Sequence, residues 1–231
     1  NERVIGKPHV MSVEEARQIA RGLGANAVQP IRYLEVCAGI GSASLAFEML
    51  GWRCAGMAEI DRKARTFLSQ RFPEAKLHGD FCKITPANAG RVDVLVGGPP
   101  CQPYSKLTRS KKFDDPRRNL AFEFLDLARR VEAPWFVFEN VKEIAGEGSW
   151  QQWLKQADES GYGVAIRVLD ARQFGLPTRR ERLFAVGHFG RPESAYRVLF
   201  EPRRASFPHP GQAIADQPRK SAGDGDVISH A

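Results

Sequence analysis

The stretch Tyr33-Leu34-Glu35-Val36-Cys37-Ala38-Gly39-Ile40-Gly41 decides the fold. An apolar run of strand length passes through a glycine-bearing turn into a segment that carries Leu45, Met49 and Leu50 at helical spacing, which predicts a β-turn-α opening. The alternation continues downstream. A strand over 54–58 leads to a helix bearing Ala64, Phe67 and Leu68, and a short extended piece over 76–78 ends at Asp80. Residues 92–96 form a continuous apolar run of the kind a parallel sheet covered on both faces requires. Leu120, Phe124, Leu127, Ala128 and Val131 follow helical spacing, Pro134 closes that connection, and 135–138 is the next strand. A helix over 150–160 stopped by Gly161, then strands over 164–169 and 183–186, complete the pattern. The fold class is α/β: an open, doubly wound, mostly parallel sheet whose ligands sit beyond the carboxyl ends of its strands.

Working outward, Ser12 and Glu15 form a capping box ahead of Ala16, Ile19, Ala20 and Leu23, so residues 1–30 read as an extension with one short helix. Residues 31–190 are the main domain. From Arg191 the composition turns to Pro, Gly, Arg and Ser, and 191–231 reads as a weakly ordered tail or the start of a further region. At 231 residues, 42% hydrophobic and 26% charged, the chain is globular, and no run approaches the roughly 18 apolar residues of a membrane helix. No secretory leader is visible. The excess of 34 Lys and Arg over 27 Asp and Glu favours a polyanionic partner. Cys37, Cys54, Cys82 and Cys101 are widely spaced, without a C-x-x-C pair or companion histidines. A zinc site and a disulfide framework are therefore not expected, and reduced thiols in a cytosol-like compartment are.

Four places carry chemistry. The loop Ala38-Gly39-Ile40-Gly41 lets backbone approach a ligand at a helix start with free N–H groups, and Glu59 follows the second strand where an acid can accept hydrogen bonds from ribose hydroxyls. Together they suggest an adenosine-type cofactor; a packing turn plus a solvated carboxylate is the alternative. The segment Gly97-Gly98-Pro99-Pro100-Cys101-Gln102 presents Cys101 at the carboxyl edge of the sheet behind two prolines, as a nucleophile would be. Glu139, at the end of the run in Phe138-Glu139-Asn140-Val141, is a candidate general acid if desolvated, and otherwise a capping carboxylate. Arg180 and Arg182 alternate at the mouth of a strand and so share one side.

The order of these blocks, Leu34-Glu35-Val36-Cys37-Ala38-Gly39-Ile40-Gly41, Glu59-Ile60-Asp61, Gly98-Pro99-Pro100-Cys101-Gln102, Phe138-Glu139-Asn140-Val141 and Arg180-Glu181-Arg182, resembles the cytosine-5 methyltransferase family over about residues 31–189. The resemblance implies the Rossmann-like fold of S-adenosylmethionine-dependent methyltransferases and methyl transfer from S-adenosylmethionine to carbon 5 of cytosine in DNA. By that resemblance Cys101 adds to carbon 6 of a flipped-out base, Gln102 stands beside it, Glu139 engages N3, and Arg182 with Arg180 buttresses the base. Cys37, Ala38, Gly39, Gly41, Glu59, Ile60, Asp80, Phe81, Pro100 and Leu120 line the cofactor pocket, and no metal takes part. Residues 106–118, with six cations against Asp114 and Asp115, match a mobile loop that closes over DNA. The implied partner is double-stranded DNA, in bacterial or phage-infected cytoplasm, or in a nucleus if the source is eukaryotic. A transfer-RNA-directed relative and a non-catalytic cofactor-binding subunit are the alternatives. Cys37 stands where the family commonly has Phe, Thr178 where it has Gln, and Ser42 where it has a second Gly. The family's target-recognition region and final Gly-Asn motif have no identified counterpart, which leads to the expectation of a shortened chain or of a second polypeptide that supplies target recognition.

Overall fold

The structure, a computed structural model, describes residues 29–100 and 120–200. The expected helix after Ser12, the pair Cys101 and Gln102, the basic segment 106–118 and residues 201–231 lie outside the described residues.

The sheet has seven strands: β1 (Arg32–Val36), β2 (Arg53–Ala58), β3 (Leu77–His78), β4 (Val94–Gly97), β5 (Trp135–Val141), β6 (Tyr162–Asp170) and β7 (Glu181–Phe189), in the order β3-β2-β1-β4-β5-β7-β6. β1 to β5 are parallel, and β7 runs antiparallel between β5 and β6. The helices are α1 (Ser42–Met49), α2 (Arg62–Arg71), α3 (Pro86–Ala89), α4 (Leu120–Arg130), α5 (Gly148–Glu159) and α6 (Pro192–Phe200).

Strand alternation sorts side chains to the two faces. Leu34, Leu95 and Phe136 lie in register on one face. There they join Phe124, Leu127, Trp150, Trp153 and Tyr162 in the largest core, under α4 and α5. The aromatic rings satisfy their polar ends locally: Trp153 Nε1 donates to the Ala121 carbonyl at 2.8 Å and the Tyr162 hydroxyl to Ala133 at 2.7 Å. Glycine at 187 is required here, since a Cβ would stand 2.1 Å from the Phe136 ring. The opposite face carries Tyr33, Val94 and Val96 under α1, Met57 with Leu68 and Phe72 under α2, and Ala165 and Val186 under α6.

Three sequence expectations are corrected. Leu45, Met49 and Leu50 do not form the buried stripe of the first helix; all three are exposed, and α1 turns Ser44 inward instead, because a buried glutamate beneath it needs donors. The strand expected to stop at Phe138 runs through Val141, since pairing with β7 continues that far, so Glu139 lies within the strand. The residues after Gly190 begin with an ordered helix, α6, which buries Ala195 and Leu199 against β6 and β7.

Candidate active site

The carboxyl ends of the parallel strands gather several of the sequence-predicted site residues at one edge of the sheet. Parallel strands β1, β2, β3 and β4 deliver Cys37, Glu59, Asp80 and Gly98 just past their carboxyl ends. Because β7 runs antiparallel, its first residues meet the last residues of β5, with Val141 opposite Arg182. Glu139 shares a face with Val141 two residues on, so the ladder brings Arg182 diagonally to it. Arg182 Nε lies 3.2 Å and Arg180 Nη2 3.8 Å from Glu139 Oε1. Both arginines thus use the same carboxylate oxygen, while Oε2 lies over Gly98, where any Cβ would come within 2.8 Å of it. The Glu139 side chain is 31% exposed and doubly ion-paired, so it is not the isolated, desolvated carboxyl on which the proton-donor reading was conditioned.

Asn140, quoted in the motif but given no task from sequence, points to the other face and is buried. Its Nδ2 donates to the Pro99 carbonyl at 3.0 Å, which anchors β5 to the turn that leads through Pro100 to Cys101. On the other side of the same strand end, Gly97 lets β4 lie close to β1, since a Cβ there would stand 2.6 Å from the Val36 carbonyl. Glu181, between the two arginines, turns away to pair with Lys142 at 2.5 Å, and this pairing holds its carboxyl below the usual range.

The second half of the site surrounds the β1 loop. Cys37 and Gly39 take left-handed backbone, at φ 52° and 56°. Gly39 donates its N–H to Glu59 Oε2 at 2.8 Å, and Asp61 donates to Oε1 at 2.9 Å. A carboxylate oxygen has two lone pairs, so each keeps an acceptor site for a vicinal diol. Among the described residues, chain neighbours aside, no atom lies within 4 Å of where a Cβ of Gly39 would be, whereas one at Gly41 would strike Phe72 at 2.5 Å; the first glycine leaves space and the second lets α1 pack on α2. Ile60 is 73% exposed beside them, an apolar surface available to a planar ring.

The expected helix-start donors of α1 are not all available. Ala43 and Ser44 donate their N–H groups to Glu35 at 3.3 and 2.9 Å, and the Ser44 hydroxyl donates to the same carboxylate. Burial raises the Glu35 pKa against these bonds. Asp80 Oδ1 accepts from Cys82 N–H at 3.0 Å, and Ala38 and Phe81 are buried core residues, so the Phe81 ring packs inward. Pro100 is exposed and Leu120 packs at the margin of the main core. Burial pushes the Cys37 thiol up to about 12, and the Cys54 and Cys82 thiols up to about 11. All three are poor nucleophiles near neutrality. Among the described residues no group of three or more His, Cys, Asp or Glu could hold a metal ion, and no helix is long and apolar enough to cross a membrane.

A family model described as C-5 cytosine-specific DNA methylase matches residues 31–219. Among curated proteins, the type II methyltransferase M.BsuFI of Bacillus subtilis is 34% identical over 160 residues, 68% of this chain and 39% of that protein. M.NgoBI of Neisseria gonorrhoeae is 33% identical over 178 residues, 73% of this chain and 56% of that one. M1.HphI of Haemophilus parahaemolyticus is 30% identical over 211 residues, 86% and 56%. The chain thus spans between 39% and 56% of the length of these relatives. In fold it is similar to the crystal structure of S. pombe Dnmt2 methyltransferase, with TM-score 0.60, 21% identity, and coverage of 70% of this chain and 51% of that one. The Entamoeba histolytica methyltransferase EhMeth gives TM-score 0.56, 19% identity, and coverage of 69% and 53%.

Proposed function

The chain belongs to the C-5 cytosine-specific DNA methylase family, and from that premise we propose that it transfers a methyl group from S-adenosylmethionine to carbon 5 of cytosine in DNA. The observation that carries the reading is the convergence of Glu139, Arg180, Arg182 and the Asn140-anchored turn before Cys101 on the sheet edge that also holds Gly39 and Glu59.

The residues present fit the cofactor. Glu59 keeps acceptor sites for the ribose hydroxyls, Gly39 leaves room beside them, and Ile60 offers an apolar wall to adenine. When bound, S-adenosylmethionine supplies a methyl group on a sulfonium, the electrophile for carbon 5. Cys101 attacks carbon 6 of the base as the thiolate, forming a carbon–sulfur bond and passing electron density toward carbon 5 and N3. Glu139 Oε2, the oxygen not used by the arginines, engages N3 as that nitrogen takes up a proton from solvent, while Arg180 and Arg182 keep Oε1 fixed. After methylation, loss of the carbon 5 proton to a solvent water restores the carbon 5–carbon 6 double bond and expels the Cys101 thiolate, and N3 gives its proton back. A base stacked in a duplex cannot reach this edge, so it must swing out of the helix.

The test is incubation with methyl-labelled cofactor and either duplex DNA or transfer RNA. Label on DNA cytosine is expected; label on RNA alone would reassign the substrate, and none on either would sink the reading. Duplex DNA containing 5-fluorocytosine should give a denaturation-resistant adduct with the wild type and none with Cys101→Ser, because a serine hydroxyl is too weakly ionised to add to carbon 6. An adduct mapped to Cys37, Cys54 or Cys82 would overturn the assignment of the nucleophile.

A further inference from the structure

β2 stops at Ala58 and α2 starts at Arg62, so the three residues between them carry backbone groups beyond both the ladder and the helix. Two of their donors are paired: Glu59 N–H reaches the His78 carbonyl at 3.1 Å, and Asp61 N–H reaches Glu59 Oε1. The carbonyls of Glu59 and Ile60 are met by one side chain. Arg65 Nη1 donates to Glu59 O at 2.8 Å and to Ile60 O at 2.7 Å. One guanidinium nitrogen carries two hydrogens in a rigid plane, so the two bonds fix the tilt of two successive peptide groups. Those peptides set the directions of the Glu59 carboxylate and the Ile60 side chain.

Helix initiation does not account for Arg65. The first turn of α2 is already capped by Asp61 Oδ1, which accepts from Ala64 N–H at 2.7 Å, and its backbone ladder starts with Arg65 N–H to Asp61 O. Resting on the cofactor reading above, we propose that Arg65 is a positioning residue for S-adenosylmethionine: it holds the Glu59-Ile60 backbone so that the ribose acceptor and the adenine wall are in place before the cofactor arrives. The link extends to the glycine loop, because the carboxylate so oriented is the one that receives Gly39 N–H. Arg65 acts through Glu59 and Ile60 and touches no reacting atom.

The experiment is calorimetric titration of S-adenosylhomocysteine into the 231-residue protein and its variants, with steady-state kinetics alongside. Arg65→Ala should weaken binding about tenfold, as expected for losing a charge-assisted anchor that pre-organises a site. It should raise KM for the cofactor by a similar factor and leave kcat at saturation and KM for DNA unchanged. Arg65→Lys, which keeps donors at the end of a long stem, should recover part of the loss. Lys63→Ala, which removes an exposed cation from the same turn, should have no effect. Should Arg65→Ala fail to fold, Arg65→Lys and Arg65→Gln carry the comparison, and equality of both with wild type overturns the proposal. Unchanged affinity in Arg65→Ala, or a fall in kcat with unchanged cofactor KM, overturns it while the cofactor reading stands. Absence of binding by the wild type overturns both.

Discussion

At the scale of single residues, three of the four thiols are disfavoured as nucleophiles, which leaves Cys101 as the one proposed to attack the base. Burial is the main cause of the raised pKa values of Cys37, Cys54 and Cys82, with the carboxylates of Glu59 and Asp80 adding to it at Cys37. A thiol at about 11 or 12 is less than roughly one part in a hundred thiolate at pH 8, and the fraction rises only as pH approaches that value. Limiting iodoacetamide at pH 8 should therefore label Cys101 first, with the other three gaining label steeply above pH 10; peptide mass spectrometry reads the order, and prior labelling of Cys37 would contradict it. Glu139→Gln keeps the shape but removes the charge that faces Arg180 and Arg182. Turnover should fall by about 10²–10⁴-fold, the range for a positioned proton-handling group, with S-adenosylhomocysteine affinity nearly unchanged. Equal loss of both would make Glu139 structural.

At the scale of elements, the last residues of β5 do two jobs on two faces: Glu139 is held by Arg180 and Arg182, and Asn140 holds the segment after β4. Asn140→Ala leaves the buried Pro99 carbonyl without its donor, at a cost of about 1–3 kcal/mol. Urea unfolding should show that loss, and turnover should fall with it because the backbone ahead of Cys101 is no longer pinned. A variant as stable and as active as wild type would show that the bond positions nothing. The antiparallel insertion of β7 is the other element-level requirement. Had β7 been parallel to β5, Arg180 and Arg182 would have emerged at the opposite edge, far from Glu139.

At the scale of the whole molecule, the chain carries a net charge of +7, and residues 106–118 hold six cations against two acids. If that segment meets the phosphate backbone, the logarithm of DNA affinity should fall with the logarithm of salt with a slope of about −4 to −5, and replacing Lys111 and Lys112 by Ala should reduce the slope by about 2. Fluorescence anisotropy between low and moderate salt measures it; an unchanged slope would place the DNA contacts elsewhere. The sequence by itself determined the β-α alternation, the order of the motifs and the strand-end place of Cys37, Glu59 and Gly98, because period-2 and period-3.6 apolar patterns and glycine turns are local properties of the chain. It also supplied the family resemblance on which the roles of Cys101 and Glu139 were drawn. Only the tertiary structure decided which groups meet: that Glu35 claims the donors at the start of α1, that Gly41 serves packing while Gly39 has open space beside it, and that both arginines share one oxygen of Glu139. It likewise decided that Leu45 and Met49 are exposed and that Asn140 and Arg65 hold backbone at the site. Those outcomes depend on register between strands distant in sequence and on which buried polar group finds a partner, and a one-dimensional pattern carries neither.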